Sequence, residues 1–449
     1  MKSFFKKAIV YILRILSKFV LLKYKPKVIA ITGSVGKTST KDAVYAVLSK
    51  FAYVRKSEKS FNSEIGLPLT ILGVSNGWNN PLSWLQNIGR GIWLLIWSHK
   101  YPNWLVLEVG IGKPGDMKKT ASWLKTDAVI ITAIGETPAH IEFFNSRKHL
   151  IDEKASLIKT LKKDGILILN NDDEAVSDMK NKTKNIVITY GFNSDSDILA
   201  SGDAIFYDDK GLPAMPAHAG QAGEPKGVTF RIDAGGSSLP VVIEGVFGRN
   251  HIYASLASLA LSFGLKWNML EAINALKNYD VPAGRMRLLK GINNSLIIDD
   301  TYNSSPFASE SALKTLGGIK QNGLPAQAGR KITVLGDMLE LGKHTKEAHE
   351  NVGKIAKENA NVLIVVGQRA KSIKDGAIEA NMDNQKIFEF SDSREAGEFL
   401  KTFVNTNDIV LIKGSQGMRM ERAVEAILQD QANKKNLLVR QELEWIVKE

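Results

Sequence analysis

The run Gly33-Ser34-Val35-Gly36-Lys37-Thr38 lies between an apolar stretch, Val28–Thr32, and a segment patterned as a helix, Lys37–Ser49. A turn of this kind between a strand and a helix can cradle phosphate. Its glycines let backbone N–H groups converge on phosphate oxygens, and the helix N-terminus adds positive potential. Lys37 would neutralise the β- and γ-phosphates, and the Thr38 hydroxyl would hold Mg²⁺. The match is to the short Gly-x-x-Gly-Lys-Thr form, because Ile31 stands where the longer motif opens with glycine. The reading is an ATP site formed by Gly33, Ser34, Val35, Gly36, Lys37, Thr38 and Ser39.

Phosphoryl chemistry also needs carboxylates or their equivalents around the metal. Glu108 ends the apolar run Trp104–Glu108. A carboxylate at the C-terminal end of a parallel strand sits where such sheets bind ligands. Spacing alone leaves it equally a solvated strand-end acid. His140 is a lone histidine and, taken alone, reads as structural. Lys154 lies in a helical segment and, taken alone, reads as a solvated lysine. The chain has no cysteine, which excludes thiolate catalysis, disulfides and cysteine metal sites.

The elements that must hold these residues alternate between strand and helix, the pattern of parallel α/β sheets. Further strands are expected at Ala128–Thr132 and Ile166–Leu169, with β-rich, irregular structure over 186–245. Gly211–Gly227 reads as an exposed Gly/Pro/Ala insertion, and Gly317–Arg330 as a similar loop. Pro282 and Gly284 interrupt helical patterning, and the α/β rhythm then restarts with strands at Ser295–Asp299, Ile332–Leu335, Val362–Val366 and Ile409–Lys413. The expected organisation is an amphipathic helix (1–25), a central P-loop ATPase-like domain with a mostly parallel sheet (26–281), and a Rossmann-like α/β C-terminal domain (282–449).

Charge is unevenly spread. Of the formal +12, residues 1–25 contribute seven lysines and arginines and no acid. The remainder is only mildly basic, which argues against a nucleic-acid-binding body. The longest uncharged run in that head, Ala8–Leu13, is far short of the roughly 20 residues a spanning helix needs. It reads as an amphipathic helix on an anionic membrane surface, or as a helix docked on the protein or a partner. Pro81–Trp97 is a second apolar segment, charged only at Arg90. Five of the eight tryptophans fall between Trp78 and Trp104, and tryptophan favours the headgroup layer; a buried helix is the competing reading.

The segment Ile31–Thr40 resembles the ATP loop of the Mur ligase family, the ATP-dependent amide ligases of peptidoglycan synthesis. Phe61–Thr70, Glu108-Val109-Gly110 and Ile134–Glu142 resemble further family segments in order. Gly284-Arg285, Ile298–Pro306, Val334–Gly342 with His349, and Lys413-Gly414-Ser415 are similar to the branch that adds the terminal dipeptide. The similarity spans roughly 27–430. It implies that MgATP phosphorylates a carboxylate and an amine displaces the phosphate. It assigns Lys37, Lys154 and His140 to catalysis, and Thr38, Glu108, His140 and a carbamylated Lys154 to two Mg²⁺ ions. Arg285, Asp300 and Asn303 would reach ATP from the C-terminal domain.

The implied partners are a small-molecule or lipid-linked peptidoglycan precursor and an amino-acid or dipeptide amine. The expected setting is a monomer in the cytoplasm, peripheral at the inner membrane face. Three departures stand out. The loop begins about 30 residues in, so the family's UDP-binding domain is expected to be absent, which admits a membrane-bound carboxylate donor. His and Asn are exchanged in Gly248–His251, with Ala254 where an Asn is usual. Ser156 replaces an acid. Competing readings are a polyglutamate- or folate-type ligase and a non-catalytic membrane scaffold.

Overall fold

The computed structural model describes residues 2–58, 61–78, 80–136, 141–208, 224–319, 329–442 and 445. The first sheet is built from β1 (Lys27–Thr32), β2 (Val54–Lys56), β3 (Trp104–Glu108), β4 (Thr126–Ile131), β5 (Leu161–Asn170) and β6 (Ile186–Gly191). It continues into β7 (Ile198–Asp208), β8 (Glu224–Ala234) and β9 (Ser237–Glu244). The order is β2-β3-β1-β4-β5-β6-β7-β8-β9. Pairing is parallel through β6–β7 and antiparallel in β7–β8–β9. Glu224–Gly227, expected in an insertion, opens β8 instead.

The central strands are covered on both faces, so they read as continuous apolar runs. Strand alternation then divides β1 between two cores. Ile29 and Ile31 join one cluster with Val44, Leu48 and Leu256. Val28 and Ala30 join the other, with Leu13, Leu67, Trp84 and Leu150. Helices α2 (Lys37–Phe51), α8 (Arg249–Gly264) and α9 (Met269–Ala275) cover the first face. On the second lie α1 (Lys2–Tyr24), α3 (Gly66–Leu72), α4 (Pro81–Ile96), α5 (Asp116–Ala121), α6 (Arg147–Ala155) and α7 (Glu174–Ser177).

Helix α1 docks on the body. Ile9, Leu13, Leu16 and Val20, spaced 4-3-4, are buried against the second core. Its end is tied to α4: Lys23 Nζ donates to the carbonyls of Leu94, Leu95 and Trp97 at 2.8–3.0 Å. These are the orphan acceptors of a helix C-terminus, where a cation is favoured. Docking therefore holds for one face of α1, while the opposite face is exposed. Among the described residues no helix is long and apolar enough to cross a membrane.

The second sheet comprises β10 (Arg287–Lys290), β11 (Leu296–Asp300), β12 (Lys331–Gly336), β13 (Val362–Val366), β14 (Ile387–Phe390) and β15 (Ile409–Lys413), in the order β10-β11-β15-β12-β13-β14. Only β10 is antiparallel to its neighbour. Its helices include α10 (Pro306–Gly318), α11 (Thr345–Asn359), α12 (Lys371–Glu379), α13 (Ser393–Phe403) and α14 (Glu421–Ile427). The two sheets are stitched at Gly245–Phe247: Leu288 N donates to Gly245 O at 3.0 Å and Phe247 N to Met286 O at 3.2 Å.

Candidate active site

The phosphate loop leaves β1 at Thr32 and enters α2 at Lys37. A Cβ on Gly33 would lie 1.9 Å from Thr132 Oγ1, so only glycine lets the loop pass β4. Gly36, the N-cap of α2, has φ 85°, which glycine adopts without strain. Thr132 Oγ1 donates to Val35 O at 2.6 Å. The amides of Ser34 and Val35 donate to Ala133 O at 2.7 and 3.1 Å. The donors left for phosphate are therefore the first-turn amides of α2, from Lys37 to Ser39, which lack an intrahelical acceptor.

Lys37 Nζ donates to Gly33 O at 2.9 Å and to Ser34 O at 3.2 Å. Lys154 Nζ, from α6, donates to the same Gly33 O at 2.9 Å. Burial pushes the Lys154 ammonium well below its ordinary range, and the Lys37 charge pushes it further. Lys37 is lowered chiefly by burial, with Glu108 opposing and Arg285 assisting. Glu108 ends β3 fully buried; its Oε1 accepts from Asn62 Nδ2 at 3.1 Å, and its Oε2 has no partner. His140 lies outside the described residues, as do Thr137, Pro138 and Ala139.

Loop residues 33–37 separate two cavities. One, of about 390 Å³, is lined by Gly33, Ser34, Lys37, Asn62, Lys113 and Lys154. The other, of about 330 Å³, is lined by Gly36, Thr40, Asn170, Tyr190, Asn250 and Tyr253. The exchanged Asn250-His251 pair resolves at this wall. Asn250 lines the cavity, while His251 is buried and bonded to Tyr279 Oη at 2.9 Å and Arg285 O at 2.7 Å. Burial lowers His251 to about 4.

From the second sheet, Arg285 stacks over the Tyr302 ring with Cζ 4.0 Å from the centroid, and its buried Nε has no partner. Asp300 accepts from Lys413 Nζ at 2.7 Å, and that ammonium also donates to Asn303 O at 2.9 Å. Sequence reasoning missed the supports behind these residues. Asp299 accepts from Gly284 N and from Thr301 N and Oγ1. Arg440 donates to Thr301 O at 2.6 Å and Tyr302 O at 3.2 Å while paired with Glu421 at 2.6 Å. Asp173 accepts from Ile134 N and Gly135 N, fixing the turn beyond β4. An Arg some 140 residues from the carbonyls it holds leaves no spacing signal, and Asp173 stands 38 and 39 residues from the amides it binds.

A phosphate loop between two cavities, with a buried carboxylate beside it and Arg285 near Lys37, suits transfer of a phosphoryl group from a nucleotide in one cavity to a substrate in the other. The Mur ligase middle domain matches residues 31–260 and the Mur ligase glutamate ligase domain residues 284–416. The chain belongs to the Mur ligase family, ATP-dependent enzymes that form amide bonds. It is 26% identical over 423 residues to the UDP-N-acetylmuramoyl-tripeptide–D-alanyl-D-alanine ligase of Bacillus subtilis, covering 92% of this chain and 78% of that protein. The MurF ligase of Thermotoga maritima, solved with ADP, superposes with a TM-score of 0.73 at 25% identity, covering 93% of this chain and 83% of that one. MurF from Acinetobacter baumannii gives 0.72 at 21% identity, over 92% and 79% of the two chains.

Proposed function

We propose that this chain joins D-alanyl-D-alanine to the peptide carboxylate of a muramoyl-tripeptide peptidoglycan precursor, working in the cytoplasm as a peripheral protein at the inner membrane face. The observation that carries the reading is the convergence of Lys37 and of Lys154 from α6 on Gly33 O, in the loop that separates the two cavities. A nucleotide bound beside Asn170, Asn250 and Tyr253 would present its phosphates across that loop to a carboxylate held beside Asn62 and Lys113.

The residues fit the groups the family requires. A buried carboxylate oxygen without a partner, Glu108 Oε2, is costly unless a cation meets it. Glu108 and Thr38 would hold Mg²⁺, joined by His140 and a carbamylated Lys154 for a second ion. ATP supplies a phosphoryl group and Mg²⁺ the charge that stabilises its transfer. Lys37 and the first-turn amides of α2 bind and orient the β- and γ-phosphates. Arg285 adds positive charge from the second sheet, and Asp300 and Asn303, held by Lys413, orient the nucleotide.

A free carboxylate resists attack because oxide is a poor leaving group; its mixed anhydride with phosphate, formed as the γ-phosphoryl group passes from ATP to a carboxylate oxygen and ADP leaves, does not. Amine attack forms the C–N bond, the C–O bond to phosphate breaks, phosphate leaves with the electron pair, and the nitrogen gives up a proton. The test is phosphate release from ATP with UDP-muramoyl tripeptide and D-alanyl-D-alanine. Release should need both substrates and vanish in Lys37→Ala. Turnover with glutamate as the amine and a folate or polyglutamate donor would overturn the assignment.

A further inference from the structure

We infer that α1 and α4 form a bilayer-docking face containing anionic lipid, and that the ligase takes its carboxylate substrate on an apolar lipid carrier presented at that face. The substrate half rests on the ligase reading above; the docking half does not.

Both helices are apolar on two sides. Helix α1 buries Ile9, Leu13, Leu16 and Val20, yet its other side shows Tyr11, Ile12, Phe19 and Leu22 to solvent. Helix α4 buries Trp84, Asn87, Gly91 and Leu94. Its other side shows Leu82, Leu85, Ile92, Trp93 and Ile96. Leu22, Leu82, Leu85 and Ile96 are each 62–69% exposed. Among the described residues, ten of the nineteen exposed large apolar side chains fall on these two helices and the adjoining Trp97. A helix apolar all round belongs in a core or a membrane, and a patch of this kind marks an interaction surface.

Charge decides the occupant. Neither helix carries an acid. Arg14 and Lys18 flank the apolar arc of α1, and Arg90 that of α4. Lys23 is already used on the α4 C-terminus. The exposed rings of Trp93 and Trp97 lie tilted at 30° with centroids 4.1 Å apart, and such rings prefer the headgroup layer. Apolar residues with tryptophan, cationic flanks and no anion suit a bilayer surface rich in anionic lipid.

The face also adjoins the site. Val10 of α1 lines the cavity that holds Lys37, Asn62 and Lys154. Helix α1 therefore borders the carboxylate cavity on one side and carries the exposed arc on the other, so docking holds that cavity within about one helix diameter, roughly 10 Å, of the lipid surface. A donor whose carrier is an apolar chain could then reach Lys37 without leaving the membrane.

The test uses the full chain and the double variant Phe19→Glu/Ile96→Glu, both exposed positions away from the catalytic loop. Binding to phosphatidylcholine vesicles with and without phosphatidylglycerol is measured by co-sedimentation. Turnover is measured with muramoyl tripeptide on UDP in solution and on a prenyl diphosphate in vesicles. Wild type should bind the anionic vesicles, less so as salt rises, and the variant at least about ten-fold more weakly. The variant should lose turnover on the vesicle-borne donor by a similar factor and keep it on the soluble one. Equal vesicle binding by the two proteins would overturn the docking face, as would a wild-type dimer that the variant converts to monomer. Bound enzyme that uses only the soluble donor would overturn the lipid carrier. Bound enzyme inactive on both donors would overturn the carrier together with the ligase reading and leave the docking face standing.

Discussion

Lys37 and Lys154 donate to one acceptor, Gly33 O, each at 2.9 Å. Two buried ammonium groups sharing a single carbonyl repel each other, and burial and the Lys37 charge disfavour the Lys154 ammonium the more because it has no acid partner comparable to Glu108. Its neutral amine is the form that attacks CO₂. Carbamylation would convert the repulsion into an attraction across the loop and add an anion for Mg²⁺. The expected outcome is a carbamate carbon signal from ¹³C-bicarbonate that disappears in Lys154→Arg. Removing CO₂ should lower kcat reversibly, and the arginine variant, always cationic, should lose roughly 10²–10³-fold activity that bicarbonate does not restore. Full activity in CO₂-free buffer would refute this.

Glu108 supports a second expectation. Its charge meets Lys37 only through space, and its buried Oε2 has no hydrogen-bond partner. Glu108→Gln keeps the shape and removes that charge. Thermal stability without Mg²⁺ should hold or rise, while turnover falls roughly 10²-fold and the Mg²⁺ concentration for half-maximal rate increases. Activity loss with an unchanged Mg²⁺ dependence would point to a merely structural carboxylate.

How much of this was legible depends on distance along the chain. The phosphate loop announces itself because all its parts are contiguous, and strands β3, β13 and β15 fall at the expected residues because buried parallel strands are unbroken apolar runs. Strand β14 escaped notice: its Ile387–Phe390 is short and half-exposed at the sheet edge. The two-sidedness of α1 was also hidden, since an apolar arc facing protein and one facing outward look alike in sequence. The resemblance assigned Asp300 and Asn303, but Lys413, which holds both, appeared only as part of a motif. The convergence of Lys37 and Lys154 on one carbonyl follows from α2 and α6, on opposite faces of the sheet, both reaching the loop that leaves β1.

Arg440 is a clear case of a residue known only from the fold. Its guanidinium ties the carbonyls of Thr301 and Tyr302 to Glu421. Those carbonyls belong to the segment that carries Asp300 and Asn303, and Tyr302 also supports Arg285. Arg440→Ala should destabilise the protein by about 1–3 kcal/mol in urea unfolding, because Glu421 Oε2 and the carbonyls of Thr301 and Tyr302 lose their partner while Arg419 still meets Glu421 Oε1. At a temperature where the variant is folded, KM for ATP should rise several-fold with less change in kcat. Arg440→Lys should recover stability better than KM, since a point charge satisfies Glu421 but not both carbonyls. An unchanged KM would restrict Arg440 to stability.

Two buried groups near the junction of the sheets titrate in opposite senses. Burial lowers His251 from 6.5 to about 4, so its neutral form belongs to the fold. Its contribution is complete above 6.5 and is lost as pH falls toward 4. Burial raises Asp299 from 3.8 to about 6, so its contribution is complete below 3.8 and is lost as pH rises through 6. Between pH 4 and 6 the two slopes oppose and conceal each other. Variants should separate them. The stability advantage of wild type over His251→Gln should shrink by roughly 3 kcal/mol from pH 7 to pH 4. The advantage over Asp299→Asn should move the other way, growing as pH falls across the same interval. Denaturant unfolding of the three proteins at pH 7, 5.5 and 4 measures both differences. Parallel stability curves would show that neither group changes its protonation on folding.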